Sequence, residues 1–178
     1  IDGGNTHFWS EIAVNIAGWQ GKNLGGILHP GSFSMLGVGV SFALASKLRF
    51  PASNAVVISG DGAFLSGGLS IETAFQENLP ITVVIDNNGG LTTISQQQEH
   101  LFENGQHVAT DFRDIPFHTL FEGLGGYGEL VEKPEEVAPA VRRAIASGKT
   151  ACINVRTRGV ISPIVAAVTS RRDKASIE

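Results

Sequence analysis

The sequence has almost no cysteine, little net charge and no long apolar run. Cys152 is the only cysteine among 178 residues, which excludes a disulfide framework and a Cys-based metal site. It lies in the apolar run at residues 151–155, so we interpret it as a small buried hydrophobic side chain. The formal net charge of −4 gives no reason to expect nucleic acid or an anionic membrane surface as a partner. A bound anion would therefore need local donors or a metal ion.

Membrane-spanning and secretory segments are also missing. No apolar run approaches the ~20 residues that a membrane-spanning helix needs, and no signal peptide is visible. We therefore expect a cytoplasmic protein without membrane contact. The chain begins with Ile1-Asp2-Gly3-Gly4 and no start methionine, which we interpret as the start of a fragment. No Gly-x-Gly-x-x-Gly motif follows a first strand in the order that a Rossmann dehydrogenase requires.

Strand-like apolar runs alternate with amphipathic helical stretches along the chain. Continuous β-branched runs at residues 55–59 and 81–85 predict strands that are buried on both faces. Shorter strands are predicted at residues 26–29, 127–132 and 151–155. This alternation is typical of a parallel sheet covered on both faces. We therefore predict an α/β fold, a three-layer α/β/α sandwich with a doubly wound, mostly parallel sheet.

Helical spacing of apolar residues predicts helices around residues 8–16, 71–75 and 134–147. Pro134 and Gly148 suit the first turn of the last helix and the position just past its end. Residues 36–48 are apolar nearly all round and predict a buried helix. Residues 89–110 are polar and irregular, and a loop of that length is usually functional or mobile.

Polar residues follow the two clearest strands at the point where each strand ends. Gly-Asp-Gly-Ala occupies residues 60–63, and Asp-Asn-Asn-Gly-Gly occupies residues 86–90. Ligands of open α/β sheets bind at the carboxyl ends of strands, where Asp61 and Asn88 would meet. A carboxylate, an amide oxygen and a nearby backbone carbonyl suit Mg²⁺, and glycines let backbone N–H groups approach a phosphate. The two segments together predict a Mg²⁺-diphosphate site.

Gly60-Asp61-Gly62, a spacer of 24 residues and Asn87-Asn88 resemble the signature of thiamine-diphosphate-dependent enzymes. Over residues 1–155 the chain is similar to the C-terminal diphosphate-binding domain of the acetolactate synthase, benzaldehyde lyase and oxalyl-CoA decarboxylase group. The resemblance implies thiamine diphosphate and Mg²⁺ as cofactors. It also implies an enzyme that forms or cleaves C–C bonds next to a carbonyl, as a 2-oxo acid decarboxylase, lyase or carboligase does. In such enzymes the cofactor supplies the electron sink, and the protein supplies position and a dry pocket.

The resemblance further implies roles for individual residues. Asp61, Asn88 and the carbonyl of Gly90 would ligate Mg²⁺. In the cofactor loop, residues 29–37, Leu36 would support the bent cofactor and the Ser34 carbonyl would accept a hydrogen bond from its aminopyrimidine. The other implied cofactor contacts are Asn5, Met35, Gly60, Gly62, Ala63 and Leu91.

Two features depart from the family pattern. Leu91 stands where many relatives carry an aromatic residue, so we expect the substrate side to differ. The family's activating glutamate lies in a separate pyrimidine-binding domain, and we interpret Glu11 and Glu72 as solvated or structural carboxylates. His29, just before the cofactor loop, is a candidate catalytic acid or base, and a structural role at a strand end remains equally open. His7 and His118 are interpreted as structural.

Residues 1–160 are expected to form the thiamine-diphosphate-binding domain and residues 161–178 a C-terminal tail, with the pyrimidine-binding and middle domains absent from this chain. The expected partners are a pyrimidine-binding domain of the same or another chain and a small-molecule carbonyl substrate. A dimer or larger homo-oligomer is expected because the apolar helix at residues 36–48 would be partly uncovered in a lone domain. Two alternatives remain open. The chain could be the small subunit of a two-chain 2-oxo acid decarboxylase, or a module that binds the cofactor without chemistry.

Overall fold

The computed structural model describes residues 1–102 and 104–167, so the expected C-terminal tail lies outside the described residues from position 168 onward. The strands of the described part are β1 (Ala55–Gly60), β2 (Ile81–Asn87), β3 (Tyr127–Val131) and β4 (Ala151–Arg156). Its helices are α1 (Asn5–Trp19), α2 (Gly39–Arg49), α3 (Asp61–Gly67), α4 (Ile71–Gln76), α5 (Thr92–Leu101), α6 (Phe117–Gly123) and α7 (Pro134–Ala146), with short 3₁₀ turns at Gly31–Phe33 and Gly68–Ser70.

The four strands form one sheet in which every pairing is parallel. Their order is β1-β2-β4-β3, so β4 lies between β2 and β3. Beyond β1, Asp2 forms an isolated parallel bridge with Ser59. In the register of β1 and β2, Gly60 stands opposite Asp86. The residues that follow both strands therefore reach the same edge of the sheet.

Helices cover both faces of this sheet. On one face Val57, Val83 and Cys152 pack with helices α2, α3, α4 and α6 in a single apolar cluster. On the other face Ile153 and Val84 pack against α7. Alternate residues of a strand point to opposite faces, which explains why a continuous apolar run such as β2 is buried on both sides. The same expectation is wrong for β1, because Val56 and Ile58, which point to one face, are 42% and 36% exposed. The predicted three-layer, parallel α/β sandwich is confirmed.

Helix α7 shows how local sequence defines an element. Pro134 occupies its first turn, and Glu135 and Glu136 follow it there, where acidic groups favour the positive end of the helix dipole. Arg143 lies in the last turn. Gly148, just beyond the helix, has a φ of +66°, a conformation that favours glycine.

Two secondary-structure predictions are wrong. Residues 26–29 form no strand and are exposed. A 2.8 Å hydrogen bond from the Ile1 amino group to the Leu28 carbonyl connects them to the region of the sheet, and one bond does not make a strand ladder. Residues 89–110 are not wholly irregular, since they contain α5. Its polar sequence lacks the apolar period that predicts a helix.

The helix expected at residues 36–48 begins at Gly39 and is buried along one side only. Val40 and Ala43 are buried, whereas Leu48 is 67% exposed. Cys152 is fully buried, as predicted. Among the described residues, no helix combines the length and the apolar character that crossing a membrane requires.

Candidate functional site

The Asp61 carboxylate ties together the two loops that leave β1 and β2. It is 2% exposed. One oxygen accepts a 2.7 Å hydrogen bond from the Gly62 N–H. The other accepts bonds from the N–H groups of Gly89 at 2.9 Å and Gly90 at 3.0 Å. The expected meeting of the two segments at one sheet edge is therefore observed.

The electrostatic surroundings of Asp61 favour a cation. Burial raises the pKa of its carboxyl above the ordinary value, although the three backbone N–H donors act in the opposite direction and Asp86 adds a small further rise. Within the described residues, no Lys or Arg forms a salt bridge with Asp61. A bound cation would stabilise the ionised carboxylate and lower its pKa.

The two adjacent asparagines at the end of β2 have different environments. The Asn87 side-chain amide donates to the Ile115 carbonyl and to Asn154 Oδ1, both at 3.1 Å. In contrast, Asn88 Oδ1 is the buried side-chain oxygen that has no hydrogen-bond partner in the described part of the chain. A buried acceptor without a partner costs about 1–3 kcal/mol. Asn87 is thus a structural residue, and the Asn88 oxygen is available to a ligand.

A cavity of about 210 Å³ opens between these loops, and we call it the edge cavity. Its walls come from the start of α1, the cofactor loop and the residues after β1 and β2. Most residues implied by the family resemblance line it, namely Asn5, Ser34, Leu36, Gly60, Asp61, Gly62, Ala63, Asn88, Gly90 and Leu91. Met35 and His29 do not line it, and Met35 is 63% exposed.

Asn5 lies in the cavity wall with its side chain already engaged. Asn5 Oδ1 accepts a 3.1 Å bond from the Ser162 N–H, and its amide lies 2.9 Å from that of Gln96. The Asn5 N–H donates to Thr93 Oγ1 at 2.9 Å. These bonds join the start of α1 to α5 and to the residues after β4.

The cofactor loop is held by Asp2, a residue that sequence reasoning missed. Its carboxylate accepts hydrogen bonds from the N–H groups of Gly37 at 3.2 Å and Gly39 at 2.8 Å. Gly37 has a φ of +88°, and a Cβ at this position would lie 2.8 Å from the Gly67 backbone nitrogen. Asp2 pairs with Ser59 of β1 through an isolated bridge, as a residue of an edge strand would. Its place at the end of a strand was the sequence feature that could have identified it as part of the site.

Leu91 lies directly over the backbone of Gly62. A Cβ on Gly62 would be 2.4 Å from Leu91 Cδ2. Glycine at position 62 therefore leaves room for the leucine and keeps the adjacent backbone open to the edge cavity. The leucine forms an apolar part of the wall.

His7, interpreted from sequence as structural, also lines the edge cavity. Its Nε2 atom lies 2.9 Å from Glu11 Oε1, and its ring centroid lies 5.2 Å from that of His29. His7 and Glu11 are four residues apart on a helix, and this spacing could have predicted their contact from the sequence. His118 contacts Asn154 at 3.3 Å, a structural position.

Comparison with known proteins agrees with this geometry. Residues 2–155 match the family described as thiamine pyrophosphate enzyme, C-terminal TPP binding domain. The chain is 39% identical over 131 residues to the acetolactate synthase large subunit of Mycobacterium tuberculosis, which covers 73% of this chain and 24% of that protein. It is 29% identical over 149 residues to the 2-hydroxyacyl-CoA lyase of Arabidopsis thaliana, covering 81% and 25%. The human 2-hydroxyacyl-CoA lyase 2 is 34% identical over 109 residues, covering 61% and 17%.

The chain thus spans about a quarter or less of the length of these relatives. The family match covers nearly all of the described sheet and both loops at its carboxyl edge. The chain therefore belongs to the thiamine pyrophosphate enzyme family and corresponds to its C-terminal TPP-binding domain.

Proposed function

We propose that this chain is the thiamine-diphosphate- and Mg²⁺-binding catalytic domain of an enzyme that forms or cleaves a C–C bond next to a carbonyl. The observation that carries the proposal is the buried Asn88 oxygen, which has no partner among the described residues. Asn88 lines the same cavity as Asp61, whose carboxylate is also buried. Within the described residues, the amide oxygen has no partner and the carboxylate has no Lys or Arg partner. Such a pair is complementary to a hard cation.

The residues present fit Mg²⁺ in ligand type. Asp61, Asn88 and the Gly90 carbonyl would supply three oxygens, and phosphate oxygens and water would complete an octahedral shell. The Gly90 carbonyl accepts one hydrogen bond, at 2.9 Å from the Thr92 N–H. Its second lone pair therefore remains for a metal ion.

The rest of the edge cavity would hold and orient the cofactor. The backbone of Gly62 and Ala63 would contact the diphosphate, and Leu36 and the Ser34 carbonyl would contact the organic part. Thiamine diphosphate, when bound, supplies the electron sink for cleavage or formation of the C–C bond. The chain itself would bind, orient and exclude water, with Asp2 fixing the cofactor loop through Gly37 and Gly39.

Exposed apolar side chains around the cofactor loop support a partner domain. Phe33 is 95% exposed, Met35 63%, Leu65 50% and Leu69 72%. Soluble monomers rarely expose large contiguous apolar surface. We propose that a pyrimidine-binding domain, of the same or another chain, covers this surface in a homo-oligomer.

The substrate class follows from the names of the relatives. Acetolactate synthases and 2-hydroxyacyl-CoA lyases both match the chain, so we propose a 2-oxo acid or a 2-hydroxyacyl-CoA thioester. The test is to incubate the full-length protein with each class and to follow product formation by mass spectrometry. Turnover that needs both thiamine diphosphate and Mg²⁺ is expected.

The variant to compare with the unaltered full-length protein is Asp61→Asn. This variant keeps the size of the side chain and removes the charge, so turnover should fall to background. Equal turnover in the two proteins, or turnover without thiamine diphosphate, would contradict the proposal.

A further inference from the structure

A second group of metal-ligating side chains lies beside the edge cavity, and no part of the proposed Mg²⁺ site uses it. It consists of His7, Glu11 and His29, each of which offers one ligand atom within 4.8 Å of the other two. His7 and Glu11 are one helical turn apart on α1, so their side chains share one face. His29 reaches the same place from the cofactor loop. We propose that these three residues bind a divalent transition-metal ion of the Zn²⁺ type at the rim of the edge cavity.

The ligand set selects this class of ion. Two imidazole nitrogens and one carboxylate oxygen suit Zn²⁺, Co²⁺ or Ni²⁺, whereas Mg²⁺ favours oxygen ligands alone. Tetrahedral Zn²⁺ with bonds near 2.1 Å separates neighbouring ligand atoms by about 3.4 Å. His7 Nε2 and Glu11 Oε1 are already 2.9 Å apart. The ligand atom of His29 lies within 4.8 Å of the other two, and binding would require this exposed side chain to rotate toward them.

Few competing interactions hold these side chains. Among the salt bridges of the described residues, the partner of Glu11 is His7, and Glu11 has no Lys or Arg partner. His29 Nδ1 accepts one long hydrogen bond, at 3.2 Å from the Gly31 N–H, and the residue is exposed. A metal ion therefore competes with one carboxylate–imidazole bond and one weak, solvated bond. The Phe8 ring stacks on His7 with centroids 5.6 Å apart and orients the imidazole.

The position of the site indicates an open coordination shell. Three protein ligands leave a fourth position for water or another small ligand, as in open zinc sites. His7 lines the edge cavity itself, whereas His29 lies outside it. The ion would therefore lie between the cavity and solvent, and the proposal does not depend on the function proposed above.

The test is a titration of the 178-residue chain with Co²⁺, after metal removal and in excess Mg²⁺. Visible absorption of bound Co²⁺ reports the stoichiometry, and calorimetry with Zn²⁺ reports the affinity. One ion per chain is expected, with Zn²⁺ displacing Co²⁺. His7→Gln and His29→Gln should each weaken binding by about tenfold or more.

Two controls separate this site from others. His107→Gln alters another histidine that contacts two carboxylates, Glu99 at 2.8 Å and Asp111 at 2.9 Å, and should leave binding unchanged. Asp61→Asn should also leave it unchanged, which distinguishes failure of this proposal from failure of the Mg²⁺ site.

Folding of each variant is checked by circular dichroism without metal. If His7→Gln does not fold, the exposed His29 carries the test. Absence of stoichiometric binding to the unaltered chain overturns the proposal. Binding that survives His29→Gln, or that is lost in His107→Gln, overturns it as well.

Discussion

Adjacent asparagines at the end of β2 should respond to alanine substitution in opposite ways. The Asn87 side-chain amide donates two hydrogen bonds, and the buried side-chain oxygen of Asn88 accepts none from the described residues. Asn87→Ala should therefore damage the fold and Asn88→Ala the ligand site. The two positions are neighbours in sequence and carry the same residue type, so each serves as the control for the other.

The size of each effect follows from the contacts. Asn87→Ala removes two bonds worth about 0.5–1.5 kcal/mol each and leaves the buried Asn154 oxygen short of a donor, at a further 1–3 kcal/mol or so. The sum is a loss of about 2–6 kcal/mol in the free energy of unfolding. Asn88→Ala removes a buried acceptor that has no partner among the described residues. Relief of its cost of about 1–3 kcal/mol offsets the packing that is lost, so the ligand-free stability should not fall.

Added ligand should reveal the defect of Asn88→Ala, which its ligand-free stability does not show. A ligand at a hundred times its dissociation constant stabilises the native state by about 2.7 kcal/mol. Unaltered protein should gain this amount with Mg²⁺ and thiamine diphosphate, and Asn88→Ala should gain almost none.

The assay is thermal unfolding with and without the two cofactors. For a chain of this length, 1 kcal/mol corresponds to about 2–4 °C in the unfolding midpoint. If Asn88→Ala lost as much ligand-free stability as Asn87→Ala, or kept the full ligand shift, the assignment of its oxygen to a ligand would be refuted.

Three further outcomes are expected. In Gly67→Ala the new Cβ would lie 2.3 Å from the Gly37 carbonyl oxygen. The free energy of unfolding, measured by denaturant titration, should therefore fall by about 1–3 kcal/mol, and cofactor binding should weaken. The control is Gly18→Ala, whose new Cβ would meet nothing within 4 Å and which should not destabilise the protein. Hydrogen bonds that the His107 ring donates to the Glu99 and Asp111 carboxylates raise its pKa above the ordinary value, so its stabilisation is complete below the ordinary pKa and is lost as pH rises through the raised one. Hydrogen exchange at residues 107–111 should accelerate over that range, and the same pH response in His107→Gln would rule this out. Burial raises the pKa of the Cys152 thiol, so iodoacetamide should label it after denaturation and not in the native protein; rapid native labelling would show that β4 is accessible.

Sequence pattern was informative where one physical rule dominates. β-Branched runs predicted both β1 and β2. The rule that a strand buried on both faces leaves no place for polar residues accounts for β2. Pro134 and Gly148 delimited α7 because backbone constraints act locally. The same strands carried Asp61 and Asn88 to one edge through their parallel register, so the main feature of the candidate site was predictable from strand ends alone.

Other features depend on contacts between distant residues and could not be predicted in this way. Residues 26–29 have strand-like composition, but no ladder of hydrogen bonds accompanies them. Asn87 and Asn88 have different roles because Asn87 contacts Ile115 and Asn154. No local sequence pattern connects those residues to the two asparagines. Asp2 supports the cofactor loop 35 residues away, and His29 meets His7 only in the folded chain.

We propose that Asp61, Asn88 and the Gly90 carbonyl hold Mg²⁺ and, through it, thiamine diphosphate. The most direct measurement is calorimetric titration of thiamine diphosphate into the complete protein, with and without Mg²⁺, beside Asp61→Asn. Asp61 is buried and has no Lys or Arg partner in the part of the chain that the structure describes, which predicts heat of binding that requires Mg²⁺ and disappears in the variant. Equally tight binding by Asp61→Asn, or binding that does not depend on Mg²⁺, would contradict the account.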